Sequence, residues 1–430
     1  MNMLDISASF QQSASVFSIS GIPLEEIVHT TGTPVFVYDA ETIIRKYAHL
    51  RENLPNEVDI FYAMKANPAL AIVRVLTNLG TGVEVASRGE LLACKRLRVN
   101  PENIVFAGPS KTDEDLNTAI DMQIYSINAE SIGELRRISD IARIKEATIR
   151  VELRVNPEFE VQGATVNMGG GPKKFGIDLE KLDDAFMLDV LSLPNVNIQG
   201  LHVFSATGIL NQEGFLQNLE NCFMLGARLN KYFPVKSIDV GGGLGIPYKD
   251  GEKELSIAGI RAKILQMLES YSFIQDNKTR VILEPGRYLV GQSGIYVTRV
   301  EDIKESRGTD YTLTDGGIHH LLRPALIGSS HPTFNLTTQG TETKEYDLGG
   351  CLCTSTDFLA KQVSMPRLTS RGDLIGVFCS GAYGFTEGMP LFLSHDIPAE
   401  VLVHNGRYSV IRKRIPIEEI LDRQIVPEDL

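Results

Sequence analysis

Short apolar runs alternate with longer amphipathic stretches along much of the chain. Between about residues 59 and 284, runs rich in β-branched residues are separated by segments with apolar side chains at helical spacing, such as 90–97 and 258–268. Strands that alternate with helices in this way are typical of βα units around a parallel sheet. Eight such units in about 225 residues match a closed (β/α)8 TIM-like barrel. The predicted strands are 60–64, 82–86, 104–107, 124–127, 148–155, 198–204, 238–240 and 281–283.

The pattern changes after residue 287 to strands and turns with few long helical stretches. An Asn405-Gly406 turn separates the last two predicted strands, which indicates a β-hairpin. The apolar run at 35–38 either leads into the barrel or joins this second domain. We assign the barrel to 35–285 and a mostly β domain to 1–34 and 286–430. The predicted strands of the second domain include 295–300, 310–315, 374–379, 399–403 and 408–411.

Composition narrows the class of protein. The chain has 430 residues, 43% of them hydrophobic. Because single hydrophobic cores stop growing at roughly 250–300 residues, we expect two domains. The net charge of −12 argues against binding to nucleic acid or to an anionic membrane, since both require a basic surface. Neither a membrane span nor a basic start followed by an apolar segment stands out. We therefore expect a cytoplasmic protein.

The five cysteines are sparse and lack paired CxxC spacing, so the sequence suggests neither a disulfide framework nor a zinc site. Cys351 and Cys353 are separated by one residue, which is too tight for an ordinary zinc knuckle. We expect reduced thiols and no metal.

Lys65 directly follows the first predicted strand, an unusual position for a charged side chain. A lysine amine that strand neighbours partly desolvate loses proton affinity, and the neutral amine can form a Schiff base with an aldehyde. Other unusual residues also fall at carboxyl ends of predicted strands, where a barrel collects its chemistry. These segments are 84–87, 154–157, 202–208, 241–243 and 284–287.

Eight motifs occur in the order found in fold-type III decarboxylases that use pyridoxal 5'-phosphate (PLP). The motifs are 62–67, 84–90, 154–157, 174–177, 241–243, 284–287, 353–357 and 380–384. Over almost its full length the chain resembles the diaminopimelate/ornithine decarboxylase superfamily. That resemblance implies an alanine-racemase-like barrel with a mostly β second domain, PLP as cofactor, and carboxy-lyase activity.

The resemblance assigns cofactor roles to individual residues. Lys65 matches the Schiff-base lysine, and Glu284 matches the carboxylate that keeps the PLP ring nitrogen protonated, so that the ring accepts the electrons left by departing carbon dioxide. Phe204 stands where many relatives stack a histidine on the ring, and an aromatic side chain can still stack there. The other residues assigned to the cofactor are Glu84, His202, Thr207, Gly241, Gly242, Gly243, Gly286, Arg287 and Tyr383.

Phosphate binding explains several of these assignments. The Gly241–Gly243 backbone can approach a phosphate closely, and the guanidinium of Arg287 binds phosphate as a fork. Thr207 stands where relatives use a serine hydroxyl.

The second domain contributes the remaining catalytic and substrate residues by resemblance. Cys353 matches the cysteine that donates a proton to the substrate α carbon, and a thiol pKa suits that task. Relatives present this cysteine, and a tyrosine matched by Tyr383, across a subunit interface. We therefore expect a homodimer with shared active sites. The residues assigned to the substrate are Arg287, Arg323, Thr354 and Tyr383.

The expected substrate is larger than a free amino acid. Arg323 matches an arginine that clamps a distal carboxylate in diaminopimelate decarboxylases. Those relatives follow their cysteine with an acid that receives a distal ammonium, whereas this chain has the neutral Thr354. The Cys353-Thr354 pair and the segment 166–176 resemble a divergent branch acting on carrier-protein-linked glutamate or on siderophore intermediates in secondary metabolism.

Two alternatives remain open at this stage. One is decarboxylation of meso-diaminopimelate to lysine, which needs another acid to replace the one missing at Thr354. The other is a PLP-binding homeostasis protein or a racemase on the same barrel, although Cys353 and the long β domain favour decarboxylation.

Overall fold

The computed structural model describes residues 6–13, 16–159, 161, 166–167, 169, 171–249 and 251–430. The chain forms two compact units. The barrel unit comprises Lys46–Ile246 and Lys253–Leu289, and the β-rich unit comprises Met1–Arg45, Pro247–Glu252 and Val290–Leu430.

The barrel unit contains eight parallel strands that close on themselves. The eighth strand pairs with the first, with Leu283 opposite Ile60, and a short strand, Ile177–Asp178, adds to the fifth. The predicted (β/α)8 barrel is confirmed. Its strands are Val58–Ala63, Gly82–Val85, Ile104–Phe106, Ser126–Ala129, Ile149–Asn156, Val196–His202, Ser237–Asp239 and Arg280–Leu283.

The fourth strand lies two residues later than the apolar pattern indicates. The prediction was 124–127, whereas the strand is Ser126–Ala129. Ser126 and Asn128 are both fully buried, although hydroxyl and amide side chains count against a buried strand in a hydrophobicity pattern. The interior of this barrel is partly polar, which the apolar runs alone do not reveal.

Side-chain caps start the helices soon after the strands end. Ser87, Ser131 and Asn211 each accept a hydrogen bond from a backbone N–H in the first turn, and Thr112 forms a capping box with Asp115. Such caps satisfy donors that the first helical turn leaves free. The helices between residues 40 and 276 are Ala40–Asn53, Leu70–Asn78, Arg88–Leu97, Asp113–Asp121, Ile132–Ile144, Asp184–Leu191, Gln212–Leu229, Ile260–Ser270 and Ser272–Asp276.

The β-rich unit is built on one large sheet. Its strand order is Phe358–Pro366, Thr343–Gly349, Thr309–Thr314, Gly294–Ser306, Val35–Asp39, Ala399–His404 and Arg407–Arg412. Leu374–Val377 also pairs with Gly294–Ser306 and carries Thr333–Asn335 on its other side. The last two strands of the main order form the predicted hairpin. Asn405 and Gly406 have φ of 51° and 66°, and a two-residue type I′ hairpin turn requires positive φ at both positions.

The structure places the domain boundaries differently from our assignment of 35–285 to the barrel. Val35–Asp39 belongs to the β-rich unit, where it pairs with Gly294–Ser306 on one side and Ala399–His404 on the other. All five of its residues are buried, as expected for a central strand with two neighbours. The barrel unit begins at Lys46 and ends at Leu289.

The rest of the β-rich unit is small. Phe10–Ser13, Val16–Ile19 and Ile22–Pro23 form a separate three-stranded sheet. The unit's helices from residue 24 onward are Leu24–Thr31, Arg323–Ile327 and Ile417–Leu421, and a further helix, Arg287–Val290, spans the end of the barrel unit in the sequence. None of the described helices has the length and apolar character needed to cross a bilayer.

Candidate active site

Lys65 lies in a single 3-10 turn, Met64–Ala66, at the carboxyl end of the first barrel strand. Its Nζ donates a hydrogen bond of 2.5 Å to Oε2 of Glu84, which lies on the neighbouring strand Gly82–Val85. The amine also lies 5.6 Å from the ring centroid of Phe204. The Lys65 side chain is 36% exposed, whereas the Glu84 side chain is 1% exposed. The Lys65 side chain is thus partly accessible to solvent while its amine pairs with a buried carboxylate.

Buried ionisable side chains surround this position. Glu84, His202, Asp239 and Glu284 are each at most 2% exposed. His202 Nε2 lies 3.5 Å from Glu284 Oε2. Burial by itself raises the pKa of Glu284, but its interactions with His202 and Lys65 hold that pKa below its ordinary value. This shift favours the ionised form of Glu284.

The pKa values of Glu84 and Asp239 shift in the opposite direction, above their ordinary values. Burial raises the pKa of Glu84, and Lys65 only partly offsets the effect. Burial and the nearby Glu284 raise the pKa of Asp239 well above its ordinary value. Carboxyl groups that share a buried region cannot all ionise, because each charge disfavours the next. The sequence analysis did not select Asp239. Its position, an acid directly before Val240 and the glycine run at the end of a predicted strand, could have indicated it.

The glycine run packs against the same cluster. A Cβ on Gly241 would lie 2.6 Å from Val203 O, and a Cβ on Gly242 would lie 2.2 Å from Glu284 O. Gly243 has a φ of 104°, a conformation that side chains disfavour. The backbone in this loop comes closer to its neighbours than any larger residue allows.

Further predicted residues border this region. Gly286 lies against Ala63 and Ala66, the neighbours of Lys65, with a Cβ placed there 3.2 and 3.0 Å from their Cβ atoms. Arg287 follows directly and begins the helix Arg287–Val290. Thr207 lies on Ala206–Thr207, which pairs with Val166–Asn167. The structure thus brings together the barrel residues that the sequence assigned to the cofactor.

The site fits a ligand that offers a protonated ring nitrogen and a phosphate. Within the described part of the chain, Oε1 of Glu284 has no hydrogen-bond partner although it is buried. Buried carboxylate oxygens without a donor are costly, so this atom is suited to a positively charged N–H group. The glycine loop carries no side chains that would keep a phosphate from its backbone N–H groups, and the partly exposed amine of Lys65 is able to react with an aldehyde.

A second network of buried ion pairs lies near the carboxyl ends of the barrel strands. Arg154 donates to Glu130 at 2.6 Å, and the Gly176 N–H donates to the other Glu130 oxygen at 2.9 Å. Lys111 donates to Glu134 at 2.7 Å. The motifs at 154–157 and 174–177 are thereby joined through Glu130, a residue that sequence reasoning did not select. The segment 166–176 is only partly described, since Met168 and Gly170 lie outside the described residues.

In the β-rich unit, Arg323 and Tyr383 lie together. The guanidinium carbon of Arg323 is 4.9 Å from the Tyr383 ring centroid, and Nη1 donates to Glu387 Oε2 at 2.8 Å. Arg323 is buried, so this ion pair largely cancels its charge. Cys353 and Thr354 lie on the turn that joins Thr343–Gly349 to Phe358–Pro366, and the Cys353 thiol is exposed.

Two groups of three side chains in the described residues bring potential metal ligands within 4.8 Å of one another. One is His202, Asp239 and Glu284, which coincides with the proposed ring-nitrogen site. The other is His319, Cys351 and His395 in the β-rich unit.

Comparison with known proteins identifies the family. Residues 40–291 match the model described as pyridoxal-dependent decarboxylase, pyridoxal binding domain. The chain is 34% identical to the L-glutamyl-[BtrI acyl-carrier protein] decarboxylase of Niallia circulans, over 92% of this chain and 94% of that protein. It is 32% identical to the diaminopimelate decarboxylase of Aquifex aeolicus, over 94% of each. A crystal structure of diaminopimelate decarboxylase from M. jannaschii with L-lysine superposes with a TM-score of 0.90 at 28% identity, covering 99% of both chains.

Proposed function

The chain belongs to the pyridoxal-dependent decarboxylases, and we propose that its substrate is glutamate joined through its distal carboxyl group to a carrier protein. The chain is a PLP-dependent carboxy-lyase, as its relatives are named. The racemase and homeostasis alternatives therefore lose their support. The identity of the substrate is the part that we propose.

The barrel residues have distinct roles in this proposal. Bound PLP supplies an electron sink for the electron pair of the broken C–C bond. Lys65 would attach the cofactor through its amine, and Phe204 would pack on the ring. Glu284 would hold the proton on the ring nitrogen, while the glycine loop and Arg287 would bind the phosphate. Cys353 donates a proton to the α carbon after carbon dioxide leaves.

Replacing Glu284 with glutamine tests the assignment of the ring-nitrogen site. Glutamine keeps the size of the side chain but removes the negative charge that favours a protonated ring. We expect kcat to fall on the order of 10²-fold, the scale for losing one preorganised electrostatic contact. The visible absorbance of bound PLP should remain. Glu134→Gln provides the control, because Glu134 is another buried, ion-paired barrel glutamate and is not assigned to the cofactor. An equal loss in both variants would indicate a general effect of changing a buried carboxylate.

The charge balance around Arg323 carries the substrate proposal. The resemblance assigns Arg323 and Thr354 to the distal end of the substrate. Arg323 is paired with Glu387, and Thr354 is neutral, so these residues together present no net charge. A thioester carbonyl is also neutral, whereas free glutamate brings a second carboxylate and lysine or ornithine brings a second ammonium. The uncharged distal end of a carrier-linked glutamate matches this set.

One observation favours meso-diaminopimelate as a second candidate. Its distal end carries both an ammonium and a carboxylate. The Arg323–Glu387 pair offers one partner for each charge, so Glu387 is an acid that could replace the one missing at Thr354. The two candidates differ in whether Glu387 contacts the substrate or only neutralises Arg323.

Carbon dioxide release separates the two candidates. The wild-type enzyme should act on a glutamyl thioester, with far lower kcat/KM for free glutamate, meso-diaminopimelate, lysine and ornithine. Glu387→Gln should raise kcat/KM for free glutamate, because Arg323 then has an uncompensated charge for the distal carboxylate. If meso-diaminopimelate is instead the substrate, wild type should prefer it and Glu387→Gln should lower its kcat/KM by about 10²-fold, since a charged contact is lost. That result would overturn the carrier-linked assignment.

We further propose a homodimer in which Cys353 and Tyr383 act in the site of the partner subunit. The Cys353 thiol is exposed on the isolated chain. Apolar side chains in the same unit are also exposed, at 57% for both Leu326 and Ile327, and at 59% for Leu391. Neighbouring exposed apolar side chains are typical of protein interfaces.

A further inference from the structure

Three segments of the β-rich unit converge at His319, Cys351 and His395. One ligand atom from each residue lies within 4.8 Å of the other two. The Cys351 Sγ is 3.8 Å from His395 Nε2. These residues are 32 and 44 positions apart along the sequence, so the convergence is a product of the fold.

A single carboxylate fixes the first two segments relative to each other. Asp357 accepts a hydrogen bond of 2.8 Å from the Ile318 N–H through Oδ1, and one of 2.7 Å from the Leu352 N–H through Oδ2. These donors are the immediate neighbours of His319 and Cys351. The backbone positions of both residues are therefore set before any ligand binds.

The third segment reaches the cluster through an unusual backbone conformation. Leu393 and Ser394 immediately precede His395 and have φ of 58° and 56°. Residues other than glycine rarely adopt this left-handed region, and such strain is concentrated at functional sites. The same segment is tied to the first one, because the Met389 N–H donates to His319 O at 2.8 Å.

His319 carries an unmet requirement for a polar partner. Its side chain is fully buried, and within the described residues neither ring nitrogen has a hydrogen-bond partner. The adjacent His320 is also buried but is satisfied, with Nδ1 at 3.0 Å from Tyr296 Oη and Nε2 at 3.1 Å from Asp396 O. Buried polar groups in native proteins are nearly always paired, so His319 points to a missing ligand.

We propose that His319, Cys351 and His395 bind a zinc ion, with a fourth position occupied by water. One thiolate and two imidazoles form a donor set that suits zinc. Tetrahedral zinc places such donor atoms roughly 3.3–3.6 Å apart, so small side-chain rotations would complete the site. Binding releases the Cys351 thiol proton to solvent and involves no change of oxidation state.

Two ligands of the cluster are within reach of solvent. Cys351 is exposed. His395 borders a cavity of about 280 Å³ whose lining also includes Asp396 and Arg414. The bound ion would join three segments, including the one in which Cys353 follows Cys351 by two residues. Zinc would thus hold the segment that carries the proposed proton donor.

Metal substitution tests the proposal directly. The purified full-length Lys65→Ala protein is treated with a chelator, dialysed, and titrated with Co²⁺ or Zn²⁺; this background removes the absorbance of lysine-bound PLP. We expect one zinc per chain by elemental analysis, and with Co²⁺ a thiolate-to-cobalt charge-transfer band with the intense visible bands of tetrahedral cobalt. Cys351→Ser should remove the charge-transfer band. His395→Ala should weaken zinc binding by at least about 10-fold.

Cys353→Ser provides a matched control. Both thiols are exposed and lie on the same turn, so general effects of losing a cysteine there should be equal. The proposal requires Cys353→Ser to keep one zinc and the charge-transfer band. It is overturned if the parent protein takes up only substoichiometric zinc, or if Cys353→Ser rather than Cys351→Ser loses the band. Circular dichroism of each variant confirms that its secondary structure is retained.

Discussion

Lys65→Ala is expected to abolish decarboxylation, with kcat reduced at least on the order of 10⁴-fold, as for removal of a covalent catalytic group. The amine lies at the end of the first barrel strand and beside the buried Glu84. No other lysine has been assigned to this site. The same change should eliminate the visible absorbance of covalently bound PLP while PLP added in excess still associates weakly. Steady-state release of carbon dioxide and the absorbance spectrum measure the two effects.

The fold should survive this substitution. Burial raises the pKa of Glu84, so its carboxyl group can take up a proton once the positive charge of Lys65 is gone. Lys95→Ala serves as the control, because Lys95 is an exposed residue of the helix Arg88–Leu97. An unchanged spectrum in Lys65→Ala, together with native circular dichroism, would show that the cofactor is attached elsewhere.

The barrel could be predicted because its strands are apolar and regularly spaced. Each of the eight predicted runs coincides with or overlaps an observed strand. The error in the fourth strand, Ser126–Ala129, arose because buried polar residues break the apolar pattern. The assignment of Val35–Asp39 to the barrel differs from the structure for another reason. A buried strand has the same pattern in either sheet, and only its partners, Gly294–Ser306 and Ala399–His404, decide its unit.

In the site as well, residues with a local sequence signal could be predicted, whereas residues that depend on distant contacts could not. Lys65, Glu284 and the glycine run could be selected because each combines an unusual residue type with a strand end. The roles of Asp239 and Glu130 depend on contacts with residues distant in the sequence, namely Glu284 and Arg154. Such contacts leave no periodic signal.

The proposed metal site depends most clearly on contacts between residues distant in the sequence. The sequence suggested no zinc site, because known zinc motifs rely on closely spaced ligands. His319, Cys351 and His395 are brought together by loops that Asp357 and Met389 fix through backbone hydrogen bonds. Likewise, the sequence assigned Arg323 to a distal carboxylate without revealing its ion pair with Glu387, and that pair changes the expected charge of the substrate.

Cys353→Ala is expected to lower kcat by about 10²–10⁴-fold, the usual contribution of a positioned proton donor. PLP content should stay near the wild-type level, because Cys353 is not among the residues assigned to the cofactor. Ser355→Ala is the matched control, since Ser355 is an exposed residue on the same turn and has no assigned role. Equal losses of PLP and activity in Cys353→Ala would show that the cysteine is needed for structure rather than for proton transfer.

Mixing the two inactive proteins tests whether Cys353 acts across subunits. If each active site combines Lys65 of one subunit with Cys353 of its partner, a mixed dimer of Lys65→Ala and Cys353→Ala chains contains one complete site and one doubly defective site. Random exchange makes half of the dimers mixed, so activity should recover to about one quarter of the wild-type value. If both residues act within one chain, no dimer gains a complete site and activity stays at the level of the variants. Differently tagged chains, recovered together by sequential affinity steps, establish that exchange has occurred before activity is measured.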